Sequence, residues 1–471
     1  MAVVDERRPG DVATEIPSKV LPAVPYRDLP EPVPLRAIVG ASVILLATSI
    51  GSGEFVLWPY ISSQVGLVAM WAAMIGITTQ FFINMEIERY TLATGETAVT
   101  GFTRLWRGWA PLFILMTILP WAWPGWATGA STTLTFVFGG GDVVLITVLG
   151  LIAIGIALTV SPVVYKSVEK FQMVMVGIIV LFMIAAVALA TGGSDWSDFA
   201  TGFSNFGSIP SELDSALLLG ALAFAGAGGS VNLAQSNWIR DKGMGMGANM
   251  PKVVSPFTGE EEARATTGYF FPMTDENLRR WKGWWKVSNQ EQFWTFLIIG
   301  GISIIILSVL TYATVFGREG LANDFSFIEI EGNVLKDLVA PWFGNFFWIT
   351  GTVVLLSTNL GVLDHVGRVV ADVVKVNWLR DSEFWTESKL YFAIVWAEIA
   401  FGCGILLAGV DQPLVLLVIA SSLNGLVMFV YSVLLIQLNR GVLPKQIAMR
   451  GIRLIALGWS VLFFGYFSVI V

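Results

Sequence analysis

Residues 38–64 read IVGASVILLATSIGSGEFVLWPYISSQ. The stretch is long enough to cross a bilayer, yet Gly51-Ser52-Gly53-Glu54 sits in its middle. A carboxylate at bilayer depth is costly and is usually functional. Glycines at that depth release backbone groups that ions, substrate or neighbouring protein must satisfy. A second apolar segment breaks in the same manner 175 residues after Gly51, at Gly226. It reads LLLGALAFAGAGGSVNLAQSNWI, with Gly226, Gly228, Gly229 and Ser230 followed by Val231 and Asn232. Two interrupted helices in corresponding halves of a chain point to the binding site of a secondary transporter.

Working outward, the whole chain is apolar. Its 471 residues are 55% hydrophobic and 13% charged, with mean hydropathy +0.70. This is the polytopic membrane class. The one cysteine, Cys403, excludes an internal disulfide and argues against a structural zinc site. Residues 1–34 hold seven prolines and no apolar core, so they read as a disordered cytosolic tail and not a signal peptide. Eleven spans follow at about 38–64, 66–92, 110–137, 142–163, 168–191, 214–239, 291–316, 342–364, 389–410, 412–437 and 452–470. With the N-terminus inside, alternation leaves only Arg318 and Lys336 outside, so 26 of the 28 Lys and Arg lie in inner segments.

The breaks fall in spans 1 and 6, an odd number of spans apart, so the two broken helices run in opposite directions. That is a five-plus-five inverted repeat with an added eleventh helix. The expected organisation is a tail over 1–34, one five-helix repeat over 35–191, a second over 214–437 with a cytosolic loop over 240–290, and a C-terminal helix over 438–471. In the loop, Gly243–Gly247 reads as flexible. Asp275–Val287 mixes four basic residues with three tryptophans and reads as an interfacial amphipathic helix. Expected partners are the lipid bilayer of a cell (inner) membrane and a small substrate. A monomer is expected, with no nucleic acid and no cofactor.

The candidate substrate-binding residues are Gly51, Ser52, Gly53 and Glu54 at the first break, and Gly226, Gly229, Ser230, Asn232 and Gln235 at the second. Glu54 is a cation ligand or proton carrier; the rival reading is a cap on the second half-helix. Glu54 and Asn232 are the candidate metal ligands. Glu86 and Arg89, three apart, can pair along one face as a structural ion pair or inner gate. Asp364 and His365 form a second candidate pair near the inner end of span 8, where Thr358 and Asn359 also lie. Pro120 and Pro124 should bend span 3. Its tryptophans, Trp121, Trp123 and Trp126, can cage an organic cation or simply pack. Glu398 in span 9 is a further buried carboxylate.

The paired breaks, with Phe55 after the first, Asn232-Leu233 and Ser236 after the second and Thr94-Gly95 after span 2, resemble the Nramp family of divalent-metal transporters. The resemblance runs from the first break to at least span 10 and implies a LeuT-like inverted-repeat fold with helices 1 and 6 unwound. The family's metal ligands do not carry over. Its Asp-Pro-Gly-Asn falls on Gly51-Ser52-Gly53-Glu54, and its Met-Pro-His falls on Gly229-Ser230-Val231. Acidic residues of its third helix fall on Met116, Trp123 and Trp126. With no thioether or imidazole expected at the breaks, the remaining oxygen donors suit a hard divalent cation such as Mg²⁺ rather than Mn²⁺ or Fe²⁺. A second resemblance competes. Gly51-Ser52-Gly53-Glu54-Phe55 and Ala223-Phe224-Ala225-Gly226 are similar to signatures of amino-acid–polyamine transporters, implying an amino acid or small organic amine as substrate. A non-transporting membrane receptor is the third reading. An enzyme is not expected, because no nucleophile–base set, phosphate loop or HExxH pattern is present.

Overall fold

The computed structural model describes residues 9–161, 163–254, 267–319, 321–322 and 324–470, without the side chains of Ser52 and Ile470. The transmembrane helices are α1 (Ala41–Val65), α2 (Met70–Thr94), α3 (Trp109–Phe138), α4 (Val143–Val160), α5 (Val164–Ala190), α6 in two halves (Ser215–Ala223 and Gly229–Lys242), α7 (Asp275–Val315), α8 (Pro341–Asn377), α9 (Glu387–Leu407), α10 (Pro413–Gly441) and α11 (Ile452–Ile470). Among the described residues, nine helical stretches are long and apolar enough to cross a membrane. The two expected spans outside that set differ for physical reasons. α2 buries Gln80, Asn84, Glu86, Glu88 and Arg89 on a polar inner half. α6 is cut into pieces of 9 and 14 residues, each too short alone.

α8 is the central post, packed against α1, α3, α5, α9 and the second half of α6. α3 carries Pro120 inside its first piece and is interrupted between Trp121 and Gly125, the bend expected of its two prolines.

Residues 9–34, expected to be disordered, instead form an ordered strap beneath the bundle. Leu21, Val24, Tyr26 and Leu29 are buried. Tyr26 bridges in parallel to Phe270, and Arg104 donates to the carbonyls of Pro17 (2.7 Å) and Pro22 (3.0 Å). The prolines that argued against helix here hold an extended chain, and its apolar side chains find a partner the local sequence does not reveal. That partner is the expected interfacial helix. Asp275–Gln292 is the first part of α7 and continues without a break into its membrane span, with Trp281 and Trp284 buried. Trp284 Nε1 donates to Pro30 C=O (2.8 Å), and Leu29 N–H donates to Asn277 Oδ1 (3.1 Å). These tryptophans therefore face protein, not lipid. The glycine-methionine run is also ordered: Met244 and Met246 are buried, and Gly245–Asn249 is a short 3₁₀ turn.

Candidate substrate site at the two helix breaks

The second break is a true unwinding. α6 stops at Ala223 and restarts at Gly229, and Gly226, Gly228 and Gly229 hold φ of +114°, +76° and +53°. Such angles are strained for any residue with a Cβ, so this turn depends on glycine. The released backbone groups are gathered by one side chain the sequence reading missed, Gln80 of α2. Its Nε2 donates to Ala223 C=O and Ala225 C=O, both at 2.8 Å. Its Oε1 accepts from Gly228 N–H (2.9 Å) and from Asn232 Nδ2 (3.3 Å). A polar residue mid-span in α2 was the available signal.

The first break is different. α1 is not unwound but continues through a π-helical segment, Ile50–Leu57. The reason is a hydroxyl wedge. Gly51 N–H donates to Thr358 Oγ1 of α8 (3.1 Å), and that hydroxyl donates on to Ala47 C=O (3.3 Å). Thr358 thus stands in the i→i−4 bond that Gly51 and Ala47 would otherwise form. The ladder then widens, with Trp58 N–H reaching Gly53 C=O. Gly51 and Gly53 permit close approach. A Cβ on Gly51 would strike Thr358, and one on Gly53 would strike the carbonyl of Phe224 at the end of the first half of α6. The two breaks therefore touch, backbone to backbone.

Glu54 is fully buried. Its Oε1 accepts from Ser49 Oγ (3.0 Å), while among the described residues Oε2 has no hydrogen-bond partner. The carboxylate is turned towards α7 and α2: Oε1 lies 3.9 Å from where a methyl group on Gly300 would stand, with Leu46 and Ile77 alongside. The Ser52 side chain lies outside the described residues. Asn232 faces neighbouring helices, donating to Gln80 and Tyr431 (3.3 Å), with Oδ1 accepting no hydrogen bond among the described residues. Gln235 donates to Glu88, which also accepts from Gln292 (3.0 Å). The expected oxygen donors are thus dispersed; Asn232 and Gln235 do not converge on Glu54.

His365 corrects the expectation that no imidazole stands at the breaks. It does not pair with Asp364. Its Nε2 lies 3.3 Å from Ser230 Oγ, at the restart of α6. Trp121 meets it edge-on at 4.8 Å, stacks on Trp126 at 5.0 Å and lies 5.4 Å from Phe224. Trp123 stands apart, half-buried.

At the end carrying the basic loops, ion pairs close the bundle. Glu86 and Arg89 pair as expected (2.7 and 2.9 Å), with Arg89 also donating to Ile447 C=O. Asp364 pairs with Arg368 (2.8 Å) and accepts from Trp238 and Tyr391, both at 2.8 Å. Arg368 continues to Asp241, and Arg240 binds Asp372 (2.7 Å) and Glu387. Arg368, Asp241, Arg240 and Asp372 were not singled out in the sequence, although Asp364 and Arg368 stand at i,i+4. Among the described residues Glu398 has no hydrogen-bond or ion-pair partner, and it lines an apolar groove between α3, α8 and α9.

No protein-family model matches the chain, and no curated protein matches it in sequence. Solved structures do match in shape. A crystal structure of the Eremococcus coleocola manganese transporter aligns with TM-score 0.67 at 13% identity, covering 98% of this chain and 90% of that one. Mhp1, a nucleobase-cation-symport-1 family transporter, aligns at 0.54 with 13% identity over 93% and 91% of the two chains. MhsT, solved with L-phenylalanine, aligns at 0.50 with 14% identity over 91% and 98%. The fold is LeuT-like. It is all-α and polytopic, an inverted repeat of five helices twice, with α11 added. α1 and α6 are its two break helices, and only α6 is unwound here.

Proposed function

We propose that the chain is a secondary transporter of a small cation, held by the Glu54 carboxylate. One observation carries this reading: a fully buried Glu54 with one oxygen bound to Ser49 and the other without a hydrogen-bond partner among the described residues. A carboxylate kept only to cap a half-helix would have its lone pairs met by backbone N–H groups. An unmet buried carboxylate calls for a cation, either cargo or proton. Oxygen donors dominate this side of the site, so a hard divalent ion such as Mg²⁺ is the first reading. The dispersed donors fit such an ion because Mg²⁺ retains several waters and needs only one or two carboxylates.

A second reading, an organic ammonium, is favoured by the aromatic group of Trp121, Trp126 and Phe224 beside Ser230 and His365. A thermal-shift screen of the purified protein against Mg²⁺, Ca²⁺, Mn²⁺, amino acids and small amines separates the two. A ligand of the folded state at a hundredfold excess over its Kd adds ~2.7 kcal/mol. Stabilisation by divalent ions that vanishes in Glu54→Gln supports the first reading, and stabilisation by amines alone supports the second. Proteoliposome uptake with competing ions tests selectivity. Strong Mn²⁺ preference over Mg²⁺ would shift the ligand set to the His365 imidazole and defeat the hard-ion reading.

A further inference from the structure

A cavity of about 510 Å³ opens at the end of the bundle that carries the basic loops, between α2, the start of α7 and the entry to α11. Its charged lining is entirely cationic: Arg89, Lys282, Arg450 and Arg453, with Trp281 and Trp285 as walls. The charges are not balanced. Arg89 and Arg453 share one carboxylate, Glu86, at 2.7 Å and 3.7 Å. Lys282 and Arg450 are exposed at the mouth, and neither has an ion pair among the described residues. Four cations thus line the cavity, and the only carboxylates near its floor are Glu86 and, behind it, Glu88, among the described residues. The arrangement is rigid at its floor, because both guanidiniums stack on Trp285, at 4.1 and 4.6 Å. Arg453 Nη1 is buried and, among the described residues, has only Glu86 at 3.7 Å beside it.

We propose that this cavity is a binding site for a phosphate group, the headgroup of an anionic phospholipid or a free phosphate. The chemistry is that of an anion pocket: guanidiniums fixed by stacking, two exposed cations at the entrance and no carboxylate in its lining. Its place suits a lipid. Two residues after Arg450 the chain enters α11, whose Ile452, Ile455 and Leu462 are 65%, 68% and 71% exposed. A phosphate held by Arg450 and Lys282 would leave acyl chains lying along that apolar face. Basic pockets at the inner ends of transmembrane helices recognise anionic headgroups in this way. The proposal is independent of the cargo bound at Glu54.

The test uses the full chain in nanodiscs of phosphatidylcholine alone or with phosphatidylglycerol, and in detergent with inorganic phosphate. Retained lipid is read by native mass spectrometry and stability by thermal melting. The comparison variant is Lys282→Gln/Arg450→Gln, both exposed and so without effect on folding. Preferential retention of phosphatidylglycerol, weakened about thirtyfold by the double variant, supports the lipid source. Protection by inorganic phosphate alone, lost in the same variant, supports the site with a soluble phosphate as its ligand. Equal retention of both lipids with no effect of phosphate overturns the proposal, as does any anion effect that the double variant leaves unchanged.

Discussion

At the residue scale, single side chains decide whether the breaks are tolerable. Gln80 alone meets three released backbone groups of α6. Replacing it with Leu keeps the bulk and strands those groups in an apolar interior, at about 1–3 kcal/mol each. Gln80→Leu is therefore expected to lower the melting temperature sharply, and an unchanged melt would show that the break finds its partners elsewhere. Glu54→Gln should behave in the opposite way: near-native stability with substrate binding abolished, because shape is kept and charge removed. Retained transport in that variant would defeat the central role given to Glu54. Glu331, on the short helix Ser326–Leu338 outside the spans, sets a pH dependence. Burial raises its pKa from 4.5 to about 8, against the hydrogen bond from Thr311 Oγ1 (2.7 Å). The folded state thus holds its proton more tightly than the unfolded one. This contribution is complete below pH 4.5 and is lost as pH rises through 8. Thermal melts should fall between pH 5 and 9, and Glu331→Gln should flatten that slope; the same slope in the variant would assign it to other groups.

At the element scale, the two break helices use different devices, and this bears on what a sequence can reveal. The unwinding of α6 was legible, because Gly226, Gly228 and Gly229 have no other reason to cluster in an apolar segment. The state of α1 was not. Gly51 and Gly53 read as an unwound stretch, but their use is close approach: Gly51 admits Thr358 and Gly53 admits the Phe224 carbonyl. Whether two glycines loosen a helix or let a neighbour in depends on a residue 307 positions away. Site chemistry was legible in the same uneven way. Glu54 stood out because a charge in a span is locally anomalous. Gln80 did not, and His365 was singled out with the wrong partner, Asp364, since their roles exist only once α2 and α8 are laid against α6. The wedge gives a direct prediction. Thr358→Val preserves the side chain's shape but neither accepts from Gly51 N–H nor donates to Ala47 C=O. The i→i−4 bond should re-form and α1 should tighten, seen as greater hydrogen-exchange protection of the Gly51 amide. Unchanged protection would mean that the π segment is set by Gly53 and its packing instead.

At the scale of the whole molecule, the bundle is tied at its basic end by the strap of residues 9–34, and one ion pair anchors the tie. Arg104 donates to Glu96 (2.8 and 2.5 Å) and with its remaining nitrogen to the carbonyls of Pro17 and Pro22. Glu96 also accepts from Gly268 N–H (3.3 Å), so strap, α2–α3 connection and the approach to α7 meet at one carboxylate. Composition hid this, because proline-rich and charged chain reads as disordered unless its docking surface is known. Burial alone would raise the Glu96 pKa, but the Arg104 charge and its hydrogen bonds outweigh it and hold the group below its usual 4.5. A depressed carboxylate stabilises the fold above its unfolded pKa, and that contribution is lost as pH falls through the folded value. The anchor should therefore persist at neutral pH and release only in acid, below the usual carboxylate value of 4.5. Arg104→Gln should mimic the acid state at pH 7, since it removes the charge and most of the donors together. Limited proteolysis followed by mass mapping reads both: cleavage within 9–34 should be slow in the parent at pH 7, and fast in the parent at low pH and in Arg104→Gln at pH 7. The membrane helices should stay intact throughout, because the strap lies outside them. A strap equally resistant in all three conditions would show that Tyr26, Leu29 and Trp284 hold it by packing alone.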